Sequence, residues 1–295
     1  MRWLLFWWLW NAQPAHQGFR AHTLEILRQD SVTVLHLLGD VEVNLGNGVV
    51  AHAQEAYYTE QTGYAQMLDS VWVRFPWGTV QAQKLMYWQG ISQVLFRDSV
   101  TVQDTAGRRL RAQQLMYRGD TAWIQAPRLW GRSFYLEADT GRTVGERGRF
   151  WRHARLRWRD STWIRADTVV LFSDTLWALG WASLEDRRFQ GRAQRLTITE
   201  KWLQMEDSAR AKWTSGHLRA ERIQVREEAP QRYHVWGYQG AELQAPGEGG
   251  TLILQADTLE FVVESDTLRW LRAWPVPYGE YREAKQSHGP GAEDG

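Results

Sequence analysis

The residue types that most often carry catalysis are present in this chain, but their spacing forms no recognisable catalytic site. The eight histidines are scattered, without the H-x-H or H-E-x-x-H spacing that presents two metal ligands together. The acidic pair Glu227-Glu228 is interpreted as part of a solvated loop insertion. No nucleophile elbow or phosphate-binding loop occurs. The sequence therefore predicts a protein that is not an enzyme and that needs neither a metal nor another cofactor.

The composition excludes further classes of function. The chain contains no cysteine, which rules out disulfides, thiolate metal sites, cysteine nucleophiles and lipid attachment through cysteine. The 35 basic and 34 acidic side chains nearly balance over 295 residues. A nucleic-acid-binding protein normally carries a concentrated basic excess, so no nucleic-acid partner is expected.

The two ends of the chain differ in composition from its middle. The segment 1–18 has one arginine followed by the apolar run Trp3 to Trp10, the pattern of a short secretory signal peptide. The segment 282–295 is rich in glycine and charge, which predicts a disordered tail. We expect one folded domain over residues 19–281.

An internal repeat organises this domain. The pattern apolar-x-Ala-x-x-apolar-x-apolar recurs, as in VQAQKLMY from Val80 and LRAQQLMY from Leu110. The alanines at its centre follow one another at intervals of 26 to 36 residues, and they are Ala53, Ala82, Ala112, Ala138, Ala166, Ala193, Ala220 and Ala256. Evenly spaced copies of this kind indicate a repeat architecture.

Each repeat is predicted to be strand, tight turn, strand. Segments with period-two alternation, such as VWV from Val71 and VTV from Val100, precede the alanine pattern by about ten residues and are typical of strands. In LRAQQLMY the apolar phase shifts by one residue, so we expect the backbone to bend at Gln113 and Gln114. One hairpin cannot bury its own apolar face, whereas about eight stacked repeats can.

The repeated strand pattern resembles the OstA-like family of periplasmic lipopolysaccharide-transport proteins, of LptA type. The resemblance covers roughly residues 37 to 274. It implies a repeat-built open β-jellyroll of folded-over antiparallel sheets, with lipid acyl chains in an apolar interior and the sugar head group in solvent.

Alternation along the strands selects the candidate lipid-binding residues. They are the side chains predicted to point inward: Val41, Val43, Ala56, Tyr58, Val71, Val73, Leu85, Tyr87, Val100, Val102, Leu115 and Tyr117. If the sheets close completely, the same residues are simply the core. The 19 tryptophans add either an aromatic lining or rim, or ordinary cross-strand pairing; the set considered is Trp72, Trp88, Trp123, Trp163, Trp177 and Trp213.

The function hypothesis from the sequence is a non-enzymatic periplasmic carrier of lipopolysaccharide or a related glycolipid in a Gram-negative bacterium. The partners that the resemblance implies are other OstA-like proteins, joined by edge-strand pairing, and the terminal strands predict head-to-tail association of the chain with itself. Exposed edges are expected at Leu37 to Val43 and at Leu259 to Trp270. The alternatives are a closed structural β-solenoid and a carbohydrate-binding surface protein.

Overall fold

The protein is built almost entirely of β-strands. The computed structural model describes residues 18–29, 32–46, 48–131, 133–158, 161–173, 175–186, 189–199, 202–229, 231–247, 250–265 and 267–283. In these ranges the chain forms strands and one short 3-10 helix, Gln89–Ile91. The prediction of an all-β fold is therefore confirmed.

The strands follow one another with short connections. The first eleven are β1 Gly18–Arg20, β2 Thr23–Gln29, β3 Val32–Gly46, β4 Val49–Thr59, β5 Tyr64–Phe75, β6 Gly78–Trp88, β7 Gln93–Asp104, β8 Arg109–Arg118, β9 Thr121–Gln125, β10 Arg128–Trp130 and β11 Phe134–Glu137. The remaining strands are β12 Thr140–Val144, β13 Arg147–Trp158, β14 Thr162–Phe172, β15 Thr175–Glu185, β16 Phe189–Ile198, β17 Leu203–Trp213, β18 Gly216–Ala229, β19 Arg232–Gly247, β20 Gly250–Glu264, β21 Thr267–Trp274 and β22 Tyr278–Glu283.

The chain divides into two compact units, unit 1 up to Leu176 and unit 2 from Trp177, where the sequence analysis expects one domain. Residues 1–17, which hold nearly all of the predicted signal peptide, lie outside the described residues. The same holds for residues 284–295 of the predicted disordered tail. β22 runs to Glu283 and therefore includes the first two residues of that predicted tail.

Half of the long strands contain a recurring bend, which we call a corner. Within the described ranges, a corner consists of two successive residues with positive φ, and seven strands contain one: Gly39-Asp40, Asp69-Ser70, Asp98-Ser99, Arg152-His153, Gly180-Trp181, Asp207-Ser208 and Gln239-Gly240. In six of these strands the two corner residues lie opposite a single residue of the following strand. The extra residue shifts the register and bends the strand, as a β-bulge does.

The bend that the sequence predicts at Gln113 and Gln114 has its extra residue in the neighbouring strand. β7 contributes Asp98 and Ser99, and the register between β7 and β8 shifts between Arg97 and Val100. Short polar side chains tolerate the left-handed conformation better than β-branched ones do. The predicted bend is therefore at the correct position along the β7–β8 pair, but the extra residue lies in β7 and not in β8.

The alanines of the sequence pattern lie at these corners. Ala53 is paired with Val41, Ala82 with Val71, and Ala112 with Val100, the residue that directly follows a corner in each case. Further along the chain, Ala154 pairs with Ala166, Ala209 with Ala220, and Ala241 with Ala256. A small side chain is needed here because both strands turn sharply around this point.

The corners divide each unit into two layers. In unit 1, layer A contains the segments 41–46, 49–53, 71–75, 78–82, 100–104, 109–112, 154–158 and 162–166 with β1, β10 and β11. Layer B of unit 1 contains 32–38, 55–59, 64–68, 84–88, 93–97, 114–118, 147–151 and 168–172 with β2, β9 and β12.

The same division holds within unit 2. There layer A contains 189–193, 209–213, 216–220, 241–247, 250–256 and β22, and layer B contains 195–198, 203–206, 222–229, 232–238, 258–264 and β21. The rings of Trp213 in layer A and Phe261 in layer B lie 5.5 Å apart, although β17 and β20 are separated by β18 and β19 in the strand order. Adjacent strands are about 4.8 Å apart, so this contact joins the facing sides of the two layers.

Six strands of unit 1 close into a ring around a filled core. β8, β9, β12, β13, β11 and β10 pair in that order, and β10 pairs again with β8. The inward leucines of its layer A, Leu110, Leu129, Leu136 and Leu156, are between 0% and 4% exposed. Burial of this kind is worth about 1.5 to 3 kcal/mol for each side chain. The ring is therefore held together by a tightly packed core.

Candidate functional site

The register of the strands places all twelve predicted lipid-binding side chains on the inner faces of unit 1. Val41, Val43, Val71, Val73, Val100 and Val102 lie in layer A, and Ala56, Tyr58, Leu85, Tyr87, Leu115 and Tyr117 lie in layer B. Nine of the twelve are buried, whereas Val43, Tyr58 and Tyr87 remain partly exposed. The interior is thus filled by its own side chains over most of this set.

One row of layer B shows how the burial changes across the strands. This row, which we call the inner row, runs from Leu24 through Leu37, Ala56, Met67, Leu85 and Phe96 to Leu115. Leu24 is 45% exposed and Leu115 is 0% exposed. The five residues of the row between Leu24 and Leu115 are all buried. The inner row is therefore exposed to solvent only at β2.

A second row of layer B lies farther from the corners and is less buried. It consists of Ile26, Leu35, Tyr58, Ala65, Tyr87 and Val94 and ends at the buried Tyr117, and we call it the seam row. Ile26 is 57% exposed, and the next five side chains are partly exposed. Burial, together with the nearby Tyr58, raises the pKa of the Tyr87 hydroxyl above its usual value. An apolar surface accessible to solvent thus follows the seam row from β2 to β7.

The first two strands leave apolar side chains of both layers exposed. In β1, Phe19 pairs with the inward Val43 of layer A and is 52% exposed. In β2, Leu24 and Ile26 of layer B are exposed in the same way. We call these three residues the apolar edge. The repeat pattern does not predict these residues, because they precede its first copy.

One of the two predicted edges lies on a strand that is paired on both sides, and the other is only partly correct. Leu37 to Val43 belongs to β3, which is paired with β1 and β2 on one side and with β4 on the other. Within Leu259 to Trp270, the segment 259–264 belongs to β20, which pairs with β19, β21 and β22, whereas 267–270 belongs to the edge strand β21. In the described pairings, β1 and β2 bind only β3, and β21 and β22 bind only β20.

A charged cluster on the outer face of layer B joins β2 to the strands behind it. The His36 ring in β3 lies 3.0 Å from Glu25 in β2 and 2.7 Å from Glu55 in β4. Tyr57 stacks on this ring at 4.3 Å and donates a hydrogen bond to Glu55. Burial opposes protonation, but the hydrogen bonds from His36 to Glu55 and Glu25 outweigh it and raise the pKa of His36.

This cluster makes the stability of β2 dependent on pH. Because the folded-state pKa of His36 is raised above its usual 6.5, the stabilisation is complete below that value and is lost as the pH rises through the raised pKa. We expect the free energy of unfolding to fall across this window, as measured by urea titration in a series of buffers.

The double variant Glu25→Gln with Glu55→Gln removes both partners of His36 and should flatten the pH dependence of the unfolding free energy. The control is Glu42→Gln, beside the more exposed His52, which should leave this pH dependence unchanged. An NMR titration in which His36 of the unmodified protein loses its proton at or below pH 6.5 would contradict the assignment.

Unit 2 contains a small apolar cavity between its layers. Its lining comes from Phe189 and Trp213 of layer A and from Val225, Gln231, Tyr233, Val235 and Val263 of layer B or the adjoining turn. The cavity volume is about 20 Å³, room for about one water molecule. The indole Nε1 of Trp213 is buried without a hydrogen-bond partner among the described residues. This cavity therefore has room for about one water molecule, and the described residues leave one hydrogen-bond donor unused beside it.

The tryptophans considered in the sequence analysis occupy two different environments. Alternation with buried neighbours places five of them on the outer faces: Trp72, Trp88, Trp123, Trp163 and Trp177. Trp213 alone of the six points inward, and it is 6% exposed. The lining interpretation therefore fits Trp213, and the rim or cross-strand interpretation fits the others.

The acidic pair considered for catalysis lies in a strand, and its placement in a loop insertion is wrong. Glu227 and Glu228 belong to β18. Glu228 contacts Arg226, Arg232 and His234, and hydrogen bonds from Arg226 and His234 lower its pKa. The described residues contain no group of three His, Asp or Glu side chains that could hold a metal. No helix in the described part of the chain is long and apolar enough to cross a membrane.

Fold and site together define an all-β protein whose described strands form paired apolar layers within each of two units. No protein-family model matches the chain, and no curated protein matches it in sequence.

Proposed function

We propose that this protein is a non-enzymatic periplasmic carrier of lipopolysaccharide or a related glycolipid, with the folded-over open jellyroll of the OstA-like family. The observation that supports this function is the seam row, an inward-facing apolar surface that stays partly exposed over six strands. At about 4.8 Å per strand the row extends roughly 24 Å. A fatty chain laid along it gains about 0.8 kcal/mol for each buried methylene.

The buried inner row limits where the lipid binds. Leu115 and Phe96 are 0% and 1% exposed, so the acyl chain contacts the seam row and the apolar edge instead of the middle of the core. The sugar head group stays in solvent beside Tyr58 and Tyr87. The energy comes from burial alone, and no catalytic group is needed.

The edge strands provide the contacts to partners. β1 and β2 at one end of the chain, and β21 and β22 at the other, present unpaired backbone groups in the described pairings. Exposed edges of this kind accept a further strand. Addition of another OstA-like protein, or of a second copy, to β2 would continue the seam row into the next molecule.

Photocrosslinking in intact Gram-negative cells tests the carrier function. A benzophenone amino acid at Ile26 should crosslink to lipopolysaccharide, because this side chain faces inward and is 57% exposed. The same probe at Leu27, which is 49% exposed on the outer face of the same strand, is the matched control and should give no lipid adduct. Equal labelling of lipid from both positions, or none from Ile26, would disprove the carrier function.

The burial of nine of the twelve predicted inward residues favours one alternative, a closed structural β-protein. In that protein Tyr58 and Tyr87 are merely the rim of the core. Protein adducts from Ile26, without any lipid adduct, would support it.

A further inference from the structure

The outer side of layer A in unit 1 carries two ordered rows of side chains across five strands. The first row is Arg111, Arg128, Glu137, Arg155 and Arg165, from β8 through β10, β11 and β13 to β14. The second row is Arg109, Trp130, Tyr135, Arg157 and Trp163 on the same strands. We call the six arginines of these rows the arginine face.

The arginine face is poorly neutralised by the protein itself. All six side chains are exposed, and only Arg155 has a carboxylate of the described residues within 4.0 Å, that of Glu137. Arg111 lies directly opposite Arg128, and Arg155 lies directly opposite Arg165. Like charges in directly opposed cross-strand positions destabilise a sheet. An anionic ligand would remove this repulsion.

Aromatic rings hold two of these guanidinium groups in place. Arg111 lies 5.7 Å from the centre of the Trp130 ring, and Arg157 lies 6.0 Å from that of Trp163. The ring of Tyr135 packs against Trp130 at 5.3 Å. A guanidinium at this distance is attracted to the face of the ring and still has N–H donors available for a phosphate or carboxylate. Each of these two rings therefore already has a cation beside its face.

The combination of arginines with one carboxylate on this face indicates which class of anion it binds. Glu137 lies in the middle of the first row and accepts a hydrogen bond from Tyr135 at 2.8 Å. A carboxylate accepts hydrogen bonds and repels a uniformly charged phosphate chain, but it can bind hydroxyl groups. A ligand with both oxyanions and many hydroxyls matches this pattern better than DNA, whose bases would need uncovered ring faces.

We propose that the arginine face binds an acidic saccharide, with Arg128, Arg155 and Arg165 holding its oxyanion groups and Glu137 accepting its hydroxyls. This site is on the opposite side of the layer from the apolar interior. It does not depend on lipid carriage.

Binding of phosphorylated dextran to the full chain, measured by isothermal titration calorimetry, tests this proposal. Replacing Arg155 and Arg165 with Gln should weaken binding about tenfold or more, since each charged hydrogen bond contributes substantially. The matched control is the double variant Arg20→Gln with Arg74→Gln, which removes two charges from the same outer side of layer A. Neither arginine lies opposite another arginine: Arg20 is paired with Glu42, and Arg74 is paired with Val50 and Thr79. This control should change the affinity by less than about twofold.

Stability and ligand specificity complete the test. The Arg155 and Arg165 variant should unfold at the same urea concentration as the unmodified protein, or higher, because a repulsive pair is removed. Unmodified dextran, single-stranded DNA and vesicles of phosphatidylcholine with phosphatidylglycerol should bind more weakly than phosphorylated dextran. Equal binding by both variants, tighter binding of DNA or vesicles, or no binding of phosphorylated dextran would overturn the proposal.

Discussion

Replacing Leu115 with Ala is expected to lower the free energy of unfolding by about 2 to 5 kcal/mol. Leu115 is 0% exposed, ends the inner row, and is paired with Phe96 on one side and Ile124 on the other, which are 1% and 3% exposed. Removing its side chain leaves a cavity that the surrounding sheets cannot fill. Equilibrium unfolding in guanidinium chloride, followed by circular dichroism, measures the loss.

Ile26→Ala is the matched control at the exposed end of layer B. Because Ile26 is 57% exposed, its truncation should cost about 0.5 kcal/mol or less. The difference between the two variants tests whether the interior is filled at β8 and open at β2. Small and equal losses would show that Leu115 lines an open groove, and would contradict the burial described above.

The inward-facing set could be predicted from the sequence because the side-chain period of a strand is two. A register error of one residue would have moved Val71 and Leu85 to the solvent side, yet both are buried. Their recurring positions relative to the alanine of each repeat indicated which side of the strand faces inward. The pattern does not predict that β8 belongs to the six-strand ring, where Tyr117 is 8% exposed, while Tyr87 of β6 in the same row remains partly exposed.

Other features depended on signals that alternation does not carry. Several corners are formed by an Asp-Ser dipeptide, for example Asp98-Ser99 and Asp207-Ser208. This dipeptide is a general turn signal, so it does not by itself distinguish a corner inside a strand from a turn between strands. β1 and β2 are short strands outside the repeat, so the edge was placed at Leu37 to Val43. Trp213 was grouped with the outer tryptophans because residue type alone does not give its phase.

In the proposed carrier, these placements restrict where a lipid enters. The core of unit 1 is filled at the six-strand ring, and the cavity described in unit 2 has a volume of only about 20 Å³. The seam row, by contrast, is accessible from β2 to β7. The apolar edge is the most exposed part of this apolar surface, so in the proposed carrier a change that makes the edge polar should affect binding far more than stability.

Replacing Leu24 and Ile26 together with Lys is expected to abolish both lipid binding and self-association. The two side chains form the exposed beginning of the inner row and the seam row, at 45% and 57% exposure. Two charges there would need to be desolvated by an incoming acyl chain or by an added strand, and lysines on an edge strand oppose strand addition. Native mass spectrometry of the purified chain measures bound lipid, and analytical ultracentrifugation measures association.

Leu27→Lys separates an effect of the inner face from a general effect of charge on β2. Leu27 is 49% exposed and faces outward, so this variant should keep its lipid, and all the variants should unfold within about 0.5 kcal/mol of the unmodified protein. Lipid retained by the double variant would show that the apolar edge is not the entrance. Equal loss of lipid in the Leu27 variant would show that charge on β2, rather than the inward face, controls binding, and would remove the physical basis for transport through the seam row.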